Sequence, residues 1–150
     1  MTKDEYTNNI SVTYDDDQFW GIFGDASYDA AVANWGGTWR MPTKDECQKL
    51  VDDCTWTWTT QENSDGETVN GYLVEGTNGK SIFLPAAGRR YRSSLYDAGT
   101  YGYYWSSASY TVGMSGYYHY VFNILLHSYE YYVYCLNSRS YGMSIRPLSE

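Results

Sequence analysis

The periodicity of the apolar residues changes at Cys54, and this change constrains the possible folds more than any other feature of the sequence. Before Cys54, two segments repeat apolar residues at helical spacing, whereas Thr55–Thr59 alternates threonine and tryptophan with the period of a strand. Two early helices followed by many short strands predict an α+β protein. Neither an internal repeat nor a linker is visible, so we expect residues 1–150 to form a single domain.

Two helices are predicted from apolar spacing and from end signals. The first runs from about Ala26 to Trp35 and ends at Gly36-Gly37. The second begins at Thr43, where Thr43 and Glu46 have the spacing of a capping box. The apolar face of this second helix is formed by Cys47, Leu50, Val51 and Cys54.

The rest of the chain is predicted to be strands and loops. Strand patterns occur at Ile10–Tyr14, Thr55–Thr59, Gly71–Glu75, Ser81–Leu84, Tyr103–Ser107, Tyr117–Ile124, Tyr131–Leu136 and Met143–Arg146. Asn78-Gly79 predicts a hairpin with a type I′ turn, because both central residues of that turn need positive φ. Pro85–Thr100 has turn composition and is predicted to be a long loop.

The charge balance narrows the classes of partner. The chain has 10 Lys and Arg against 18 Asp and Glu, which gives a formal net charge of -8. The basic residues are few and scattered, so we expect no nucleic-acid binding, which needs a patch that neutralises phosphates. No apolar run approaches the length of a membrane span, so we expect no membrane insertion. The first residues, MTKDEYTNN, hold no signal-peptide core.

Eleven of the 18 tyrosines fall in one segment in which Glu130 is the single Asp, Glu, Lys or Arg. They are Tyr101, Tyr103, Tyr104, Tyr110, Tyr117, Tyr118, Tyr120, Tyr129, Tyr131, Tyr132 and Tyr134. Tyrosine offers a large, rigid contact area and a hydroxyl that donates or accepts, and antibody paratopes are rich in it for those reasons. The segment therefore indicates a contact surface. The alternative is that these tyrosines serve β-propensity and cross-strand packing.

No pattern of catalytic or metal-binding residues is evident. His119 and His127 have no acidic or cysteine partner at catalytic spacing, and Ser106-Ser107 does not lie in a nucleophile elbow. Asp15–Asp17 is expected to be a solvated acidic turn, because hard cations need ligands from several directions. The three cysteines are expected to be free thiols, two of them buried on the second helix. We therefore expect no enzymatic activity, no metal and no cofactor.

Four motifs in order carry a resemblance to a known family. They are WGGTWRMPTKDE at Trp35–Glu46, SIFLPAAG at Ser81–Gly88, YYWSSA at Tyr103–Ala108 and GMSIRP at Gly142–Pro147. With these motifs, the chain resembles the Fibrobacter succinogenes major paralogous domain family over about Asp25 to Pro147. That family is similar to the C-type lectins and lies near the formylglycine-generating-enzyme-like group.

The resemblance implies a C-type lectin-like fold, in which two helices flank a small antiparallel sheet and long loops project from one side. It implies core positions for Trp39, Phe83, Leu84 and Trp105. It also implies that Arg40 and Arg146 are buried or half-buried and bonded to carbonyls or carboxylates. The calcium-binding triplets of many C-type lectins are absent, so no metal-dependent sugar site is expected.

Members of this family from gut bacteria and their phages resemble the variable proteins of diversity-generating retroelements. That resemblance implies a C-terminal variable region at about residues 96–145, rewritten from a template that is copied with errors at adenines. The products of its Asn codons exclude Lys, Gln, Glu, Met and Trp. Lys and Gln are absent between Tyr101 and Asn137. Trp105, Met114 and Glu130 would then be fixed by the template or come from other codons.

The resemblance divides this region into two sets of residues. The fixed frame would include Gly102, Trp105, Ser106, Ser107, Phe122, Arg139, Gly142, Ser144, Arg146 and Pro147. The diversified, ligand-binding set would be Tyr101, Tyr103, Tyr110, Tyr118, Tyr120, Asn123, Leu125, His127, Tyr129, Tyr131, Tyr134 and Leu136. Several of these are two residues apart, and alternate residues of a strand share a face, so we expect them on one outward surface. Tyr104, Tyr117 and Tyr132 are the candidates for structural tyrosines, and Phe122 is expected to point into the core.

The function implied is recognition of a ligand, namely a protein or glycan on another cell's surface. We expect a monomeric domain located at a bacterial cell surface or a virion surface. The first alternative is an undiversified bacterial adhesin or glycan-binding domain of the same family. The second is an enzyme descended from the formylglycine-generating group, which would need a reactive cysteine pair.

Overall fold

The computed structural model of the protein describes residues 27–112 and 118–149, without the side chains of residues 110–112, 118, 119, 135 and 136. Over these residues the chain is α+β, with two helices, one of them short, and mostly antiparallel strands. The predicted fold class is therefore confirmed at this level. The predicted strand Ile10–Tyr14 lies outside the described residues, as do Asp15–Asp17, Met114 and Tyr117.

The elements follow the order expected of early helices and later strands. They are α1 (Ala30–Trp35), β1 (Trp39–Arg40), α2 (Lys44–Asp53), β2 (Thr55–Glu62), β3 (Thr68–Glu75), β4 (Ser81–Pro85), β5 (Arg89–Tyr91), β6 (Ser94–Tyr96), β7 (Tyr101–Val112), β8 (Tyr118–His127), β9 (Glu130–Ser138), β10 (Tyr141–Gly142) and β11 (Leu148–Ser149). Within the described residues the strands form four small sheets with orders β1-β11, β10-β5-β6, β2-β3-β4 and β7-β8-β9. The β1-β11 pair brings the beginning of the described chain against its end.

The short helix α1 begins at Ala30 rather than near Ala26, because Asp29 is its N-cap. The buried Asp29 carboxylate accepts hydrogen bonds from the backbone N–H groups of Ala31 and Val32, at 2.9 and 3.2 Å. Its other oxygen accepts from the N–H of Met41 at 2.9 Å. Asp29 therefore caps the helix and also ties it to the segment that follows β1.

The longer helix α2 has the predicted N-terminus. The Thr43 hydroxyl accepts from the N–H of Glu46 at 3.2 Å, and the Glu46 carboxylate accepts from the N–H of Thr43 at 2.8 Å, so the capping box is confirmed. Arg40 donates two hydrogen bonds of 2.8 Å to the same carboxylate. Chiefly because of these bonds, the pKa of Glu46 is lowered from its usual 4.5 to about 2.

The sheet β2-β3-β4 confirms the alternating pattern after Cys54, with Trp56 buried and its threonine neighbours Thr55 and Thr57 exposed. The β3-β4 hairpin is present, but its loop is longer than predicted, with Glu75 opposite Ser81. Only Gly79 in this loop has a positive φ, 75°, so the predicted type I′ turn is wrong. The Gly79 N–H donates to the Gly76 carbonyl, which closes a four-residue turn before β4.

The sheet β7-β8-β9 lies between two apolar clusters. Its first face packs on α2 and on β2-β3-β4, in a cluster that includes Cys47, Trp56, Tyr72, Val74, Leu84, Tyr104, Ile124 and Leu126. Its second face contributes Tyr103 and Trp105 to a smaller cluster with Ala31, Met41 and Met143. We call these the core face and the second face. Both faces of the tyrosine-rich sheet are therefore at least partly covered.

The four motifs of the resemblance meet along one edge of β7. The Gly88 N–H donates to the Tyr101 carbonyl at 2.8 Å, and the Ser107 N–H donates to the Pro42 carbonyl at 2.8 Å. Between these points, Ser144 forms a parallel bridge with β7. The Ser144 N–H donates to the Tyr103 carbonyl, and the Ser144 carbonyl accepts from the N–H of Trp105. The predicted strand at Met143–Arg146 is therefore reduced to one bridge, because this segment pairs with β7 only at Ser144.

The predicted long loop Pro85–Thr100 contains a hairpin, so that prediction is wrong. β5 and β6 pair antiparallel, with Tyr91 opposite Ser94 across a two-residue loop. Arg92 opens this loop with a φ of 54°, which is unusual for a residue other than glycine. The sequence pattern did not predict this hairpin, because the turn contains no Asn-Gly or Asp-Gly pair. We call Arg89–Tyr96 the arginine hairpin.

Candidate binding surface

The predicted ligand-binding residues of β7 and β8 share a face, as alternation requires, but that face is only partly open. Tyr101, Tyr103, Leu125 and His127 lie on the second face. Tyr103 is only 6% exposed, because the second cluster and Arg89 cover it. This burial raises the pKa of Tyr103 to about 12. The expectation that Tyr103 points outward is therefore wrong, whereas Tyr101, Leu125 and His127 are half-buried.

Tyr131 is turned the opposite way from its predicted orientation. Its ring stacks on Trp56 with centroids 4.4 Å apart and planes 8° apart, and meets Tyr72 edge-on at 5.2 Å. Tyr131 lies opposite Leu126, whose side chain is fully buried on the core face. The prediction of an outward Tyr131 failed because the parity of β9 depends on its register with β8, which the sequence does not specify.

Asn123 is also inside the molecule, with no exposed surface. Its Oδ1 accepts a hydrogen bond of 3.0 Å from Asn137 Nδ2, and Asn137 Oδ1 accepts one of 3.3 Å from Arg89. Asn123 Nδ2 has no partner among the described residues. The predicted ligand contact by Asn123 is therefore wrong: this side chain is the inner end of a buried polar relay that begins at Arg89.

The remaining predicted positions divide into exposed, half-buried and undescribed ones. Tyr129, at the β8-β9 turn, is 91% exposed. Tyr120 and Tyr134 are half-buried. The side chains of Tyr110, Tyr118 and Leu136 lie outside the described residues. Tyr132, expected to be structural, is half-buried and contacts Tyr134 at 5.9 Å between ring centroids, so it belongs to the same partly open region.

The open end of the second face carries a continuous series of ring contacts. Starting at the β8-β9 turn, Tyr129 contacts His127 at 6.0 Å, His127 contacts Tyr101 at 5.0 Å, and Tyr101 contacts Tyr103 at 6.2 Å between ring centroids. Beyond Tyr103, Arg89 connects this series to Tyr141, which contacts Tyr91 at 5.4 Å. We call these residues, Tyr129, His127, Tyr101, Tyr103, Arg89, Tyr141 and Tyr91, the aromatic row.

Arg89 is the central residue of the aromatic row. Its guanidinium carbon lies 4.9 Å from the ring centre of Tyr103 and 4.6 Å from that of Tyr141. Its Nε lies 3.4 Å from the Asp97 carboxylate, which also accepts a hydrogen bond of 3.2 Å from the Tyr103 hydroxyl. Arg89 thus binds β5, β7 and β10 together through one planar group, a role for which lysine lacks the geometry.

The predicted scaffold residues have mixed outcomes. Trp105 is buried, and Arg40 is a largely buried arginine held by a carboxylate, as expected. Arg146 is exposed, so its predicted burial is wrong. Trp39 is 43% exposed and contacts Trp35, so its predicted core position is wrong. Phe83 is half-buried on the outer face of β4, so its predicted core position is also wrong.

Phe83 nevertheless has a defined structural contact. A Cβ atom added to Gly71 would lie 2.7 Å from the Phe83 ring and 2.4 Å from the Leu84 carbonyl oxygen. The phenyl ring therefore covers a glycine that must stay without a side chain. Phe122, also predicted to be core, is half-buried under Lys44 of α2, whose Nζ lies 4.6 Å from the ring centre.

Cys47 is buried and Cys54 half-buried, both as free thiols, and burial raises the pKa of Cys47 to about 12. The complete burial expected for Cys54 is wrong, because Cys54 follows the last turn of α2. Over residues 27–112 and 118–149, no group of three His, Cys, Asp or Glu side chains could hold a metal ion. No helix in that part of the chain is long and apolar enough to cross a membrane.

The chain matches no protein-family model, no curated protein and no solved structure. Membership of the family named above therefore stays a prediction.

The arginine hairpin is the part of the surface that the sequence analysis missed. Its arginines occur in the run Arg89-Arg90-Tyr91-Arg92, within the segment interpreted as a loop. Basic and aromatic residues alternating within a few positions were the available signal. That signal was outweighed by the turn composition on both sides and by the scattering of the other basic residues.

Proposed function

We propose that the protein is a non-enzymatic ligand-binding protein whose contact surface is the open part of the aromatic row together with Tyr132 and Tyr134. The observation that carries the proposal is a row of ring contacts from Tyr129 to Tyr103 and from Tyr141 to Tyr91, joined by Arg89, with exposed side chains at both ends. Such rings supply contact area at low conformational cost, and Arg89 holds several of them in place before any ligand binds.

The finer part of the proposal concerns the scaffold and its origin. We infer a C-type lectin-like fold, and a target protein of a diversity-generating retroelement, located at a bacterial cell or virion surface. The support is the order of the four motifs and their convergence along one edge of β7. In such a protein the fixed motifs hold β7 while neighbouring side chains change. The expected ligand is a protein or glycan on another cell's surface.

One observation favours the alternative of an undiversified adhesin or glycan-binding domain of the same family. Of the predicted variable positions, Tyr103 and Asn123 are buried, and Tyr131 is half-buried with its ring stacked on Trp56. Random replacement at packed positions costs stability, so a diversified region should avoid them. The diversified and undiversified hypotheses predict different gene neighbourhoods. Diversification would be supported by a near-copy of the segment encoding Tyr101–Pro147 that differs at adenines and lies beside a reverse transcriptase gene. The absence of such a copy would support the alternative.

The test of the binding function is a screen of the folded protein against arrays of cell-surface proteins and glycans. A double variant, Tyr129→Ala with Tyr134→Ala, should lose about tenfold or more of the affinity for any ligand found, because aromatic anchors dominate such interfaces. Thr57→Ala with Thr59→Ala, on the far side of β2, is the matched control. An unchanged affinity in the tyrosine variant would rule out this surface as the site.

A further inference from the structure

The charges of this chain are divided unequally along the sequence. Residues 1–75 contain fifteen Asp and Glu and four Lys and Arg, whereas residues 76–150 contain three Asp and Glu and six Lys and Arg. The second part is therefore basic within an acidic protein. Three of its six basic residues, Arg89, Arg90 and Arg92, lie in the arginine hairpin.

The carboxylate nearest to these arginines in sequence is already engaged. Asp97 is the single Asp or Glu between Gly76 and Tyr129, and its carboxylate binds Arg89 and the Tyr103 hydroxyl. Arg90 and Arg92 are exposed, and no carboxylate among the described residues forms an ion pair with either of them. Two positive charges on this hairpin are thus not neutralised by the described part of the chain.

Apolar side chains are exposed between and beside these charges. Leu95 is 50% exposed and Tyr96 is 47% exposed, and the Tyr91 ring lies 5.4 Å from the Arg92 guanidinium carbon. Arg90 and Leu95 also line a groove of about 180 Å³ together with Gly142, Met143 and Ser144. A surface with cations and apolar groups in alternation fits a partner that offers carboxylates and apolar side chains together.

The hairpin also offers unpaired backbone groups. β6 is the outer strand of the sheet β10-β5-β6 over the described residues. Tyr91 and Ser94 flank the two-residue loop, so the backbone N–H and C=O of Leu95 point away from β5 toward the open edge. An extended peptide can add to such an edge through main-chain hydrogen bonds, which a glycan cannot do in the same way.

We propose that the arginine hairpin binds an acidic, extended segment of a protein partner, with carboxylates on Arg90 and Arg92 and apolar side chains on Leu95 and Tyr96. This inference rests on the proposed function, because the hairpin continues the aromatic row through Tyr91, and it narrows the ligand to an acidic protein. The hairpin is the cationic end of the contact surface, and the Tyr129 end, where the exposed Glu130 carboxylate lies 3.2 Å from His127, is not cationic.

The test uses a synthetic peptide in which Glu alternates with Leu and a second peptide in which Gln replaces every Glu. Binding is followed by calorimetry and by NMR shifts of the backbone amides of Arg90, Arg92 and Leu95. Only the Glu peptide should bind, and its affinity should fall as salt is added, because exposed ion pairs are screened. Arg90→Glu with Arg92→Glu should weaken binding about tenfold or more, since reversal turns attraction into repulsion.

The control variant, Lys49→Glu with Lys80→Glu, makes the same change of net charge at exposed lysines elsewhere and should stay within about twofold of the wild type. Equal weakening in both variants would mean that only net charge matters and would overturn the proposal. Equal binding of the Gln peptide would also overturn it. Binding of heparin fragments without binding of the Glu peptide would overturn the proposal. The proposal would also be overturned if the weakening caused by the arginine variant disappeared at dilutions at which the protein no longer self-associates.

Failure of this inference differs from failure of the proposed function. If the arginine variant keeps full affinity for a ligand that the Tyr129 and Tyr134 variant has lost, the binding function stands and the acidic-segment proposal is wrong. If the arrays yield no ligand while the Glu peptide still binds at the hairpin, the proposed cell-surface recognition fails and the hairpin site stands.

Discussion

The core face and the second face of the sheet β7-β8-β9 use the same kind of residue for opposite purposes. On the core face, Tyr104 is buried, and its hydroxyl donates a hydrogen bond of 2.6 Å to the Pro85 carbonyl. At the open end of the second face, Tyr129 is almost fully exposed. Both residues come from one tyrosine-rich segment. The difference shows that a tyrosine count identifies neither a core nor a binding surface until strand parity and register are known.

The largest expected effect separates Tyr131 from Tyr129, two tyrosines that the sequence treats alike. Tyr131→Ala should destabilise the protein by about 3 kcal/mol, because it removes the ring stacked on Trp56 and leaves a cavity. Tyr129→Ala should change stability by less than about 0.5 kcal/mol. Urea unfolding of both variants measures the difference. Similar losses in the two variants would contradict the assignment of Tyr131 to the core face.

A second prediction concerns the hydroxyl of Tyr104. Tyr104→Phe keeps the ring and removes the donor to the Pro85 carbonyl, so stability should fall by about 1.5 kcal/mol because a partly buried acceptor loses its partner. The same change at Tyr129, Tyr129→Phe, should leave thermal and urea unfolding unaltered. A neutral Tyr104→Phe variant would mean that water or another donor reaches the carbonyl.

A third prediction uses pH to weaken the helix that packs on the core face. The folded-state pKa of Glu46 is about 2 against a usual 4.5, so its ionised form contributes stability above about pH 4.5. That contribution is lost as the pH falls from about 4.5 through 2. Because Glu46 is partly exposed, solvent screening limits it to about 1 kcal/mol.

The measurement for Glu46 is urea unfolding of Glu46→Gln and of the wild type between pH 2 and pH 7. The variant should be less stable near neutral pH, and the two proteins should converge at the acidic end. Glu62→Gln, at an exposed carboxylate at the end of β2, is the control. A constant gap between Glu46→Gln and the wild type at all pH values would contradict the role of the ionised carboxylate.

The smallest expected effect belongs to Arg89 on the second face. Arg89→Lys keeps the charge but loses the planar contacts to Tyr103 and Tyr141 and the bond to Asn137, so stability should fall by about 0.5–1 kcal/mol. Ring-current shifts of Tyr141 in NMR spectra should change at the same time. Unaltered shifts would mean that Arg89 does not order the aromatic row.

Local signals predicted the elements with strong patterns. The capping box of Thr43 and Glu46, the alternation around Trp56 and the β3-β4 hairpin all occur where expected, because each depends on residues within a few positions of one another. The same reasoning missed the arginine hairpin, whose turn begins at Arg92 with a positive φ rather than at an Asn-Gly pair. It also missed Asp29 as the N-cap of α1, although the bonds that Asp29 accepts from Ala31 and Val32 are local and only its bond to Met41 required the tertiary structure.

The candidate site was predictable only in part, for a physical reason visible in β9. The period-two spacing predicted that Tyr101, Leu125 and His127 share one face of the sheet, and the structure confirms this. It could not place Tyr131, because the two-residue turn between His127 and Glu130 pairs Tyr131 with Leu126 and so turns its ring to the core face. Nor could it reveal that Ala31, Met41 and Met143 would cover half of the second face.

By itself, the sequence determined the α+β class, the change of period at Cys54 and a tyrosine-rich segment with a single charged residue, Glu130, since these follow from local spacing and composition. The tertiary structure alone decided which tyrosines are exposed, how Arg89 joins two distant segments into the aromatic row, and where Arg90 and Arg92 stand without a carboxylate partner in the described chain. These properties depend on contacts between residues far apart in sequence, and such contacts exist only once the strands have taken their register.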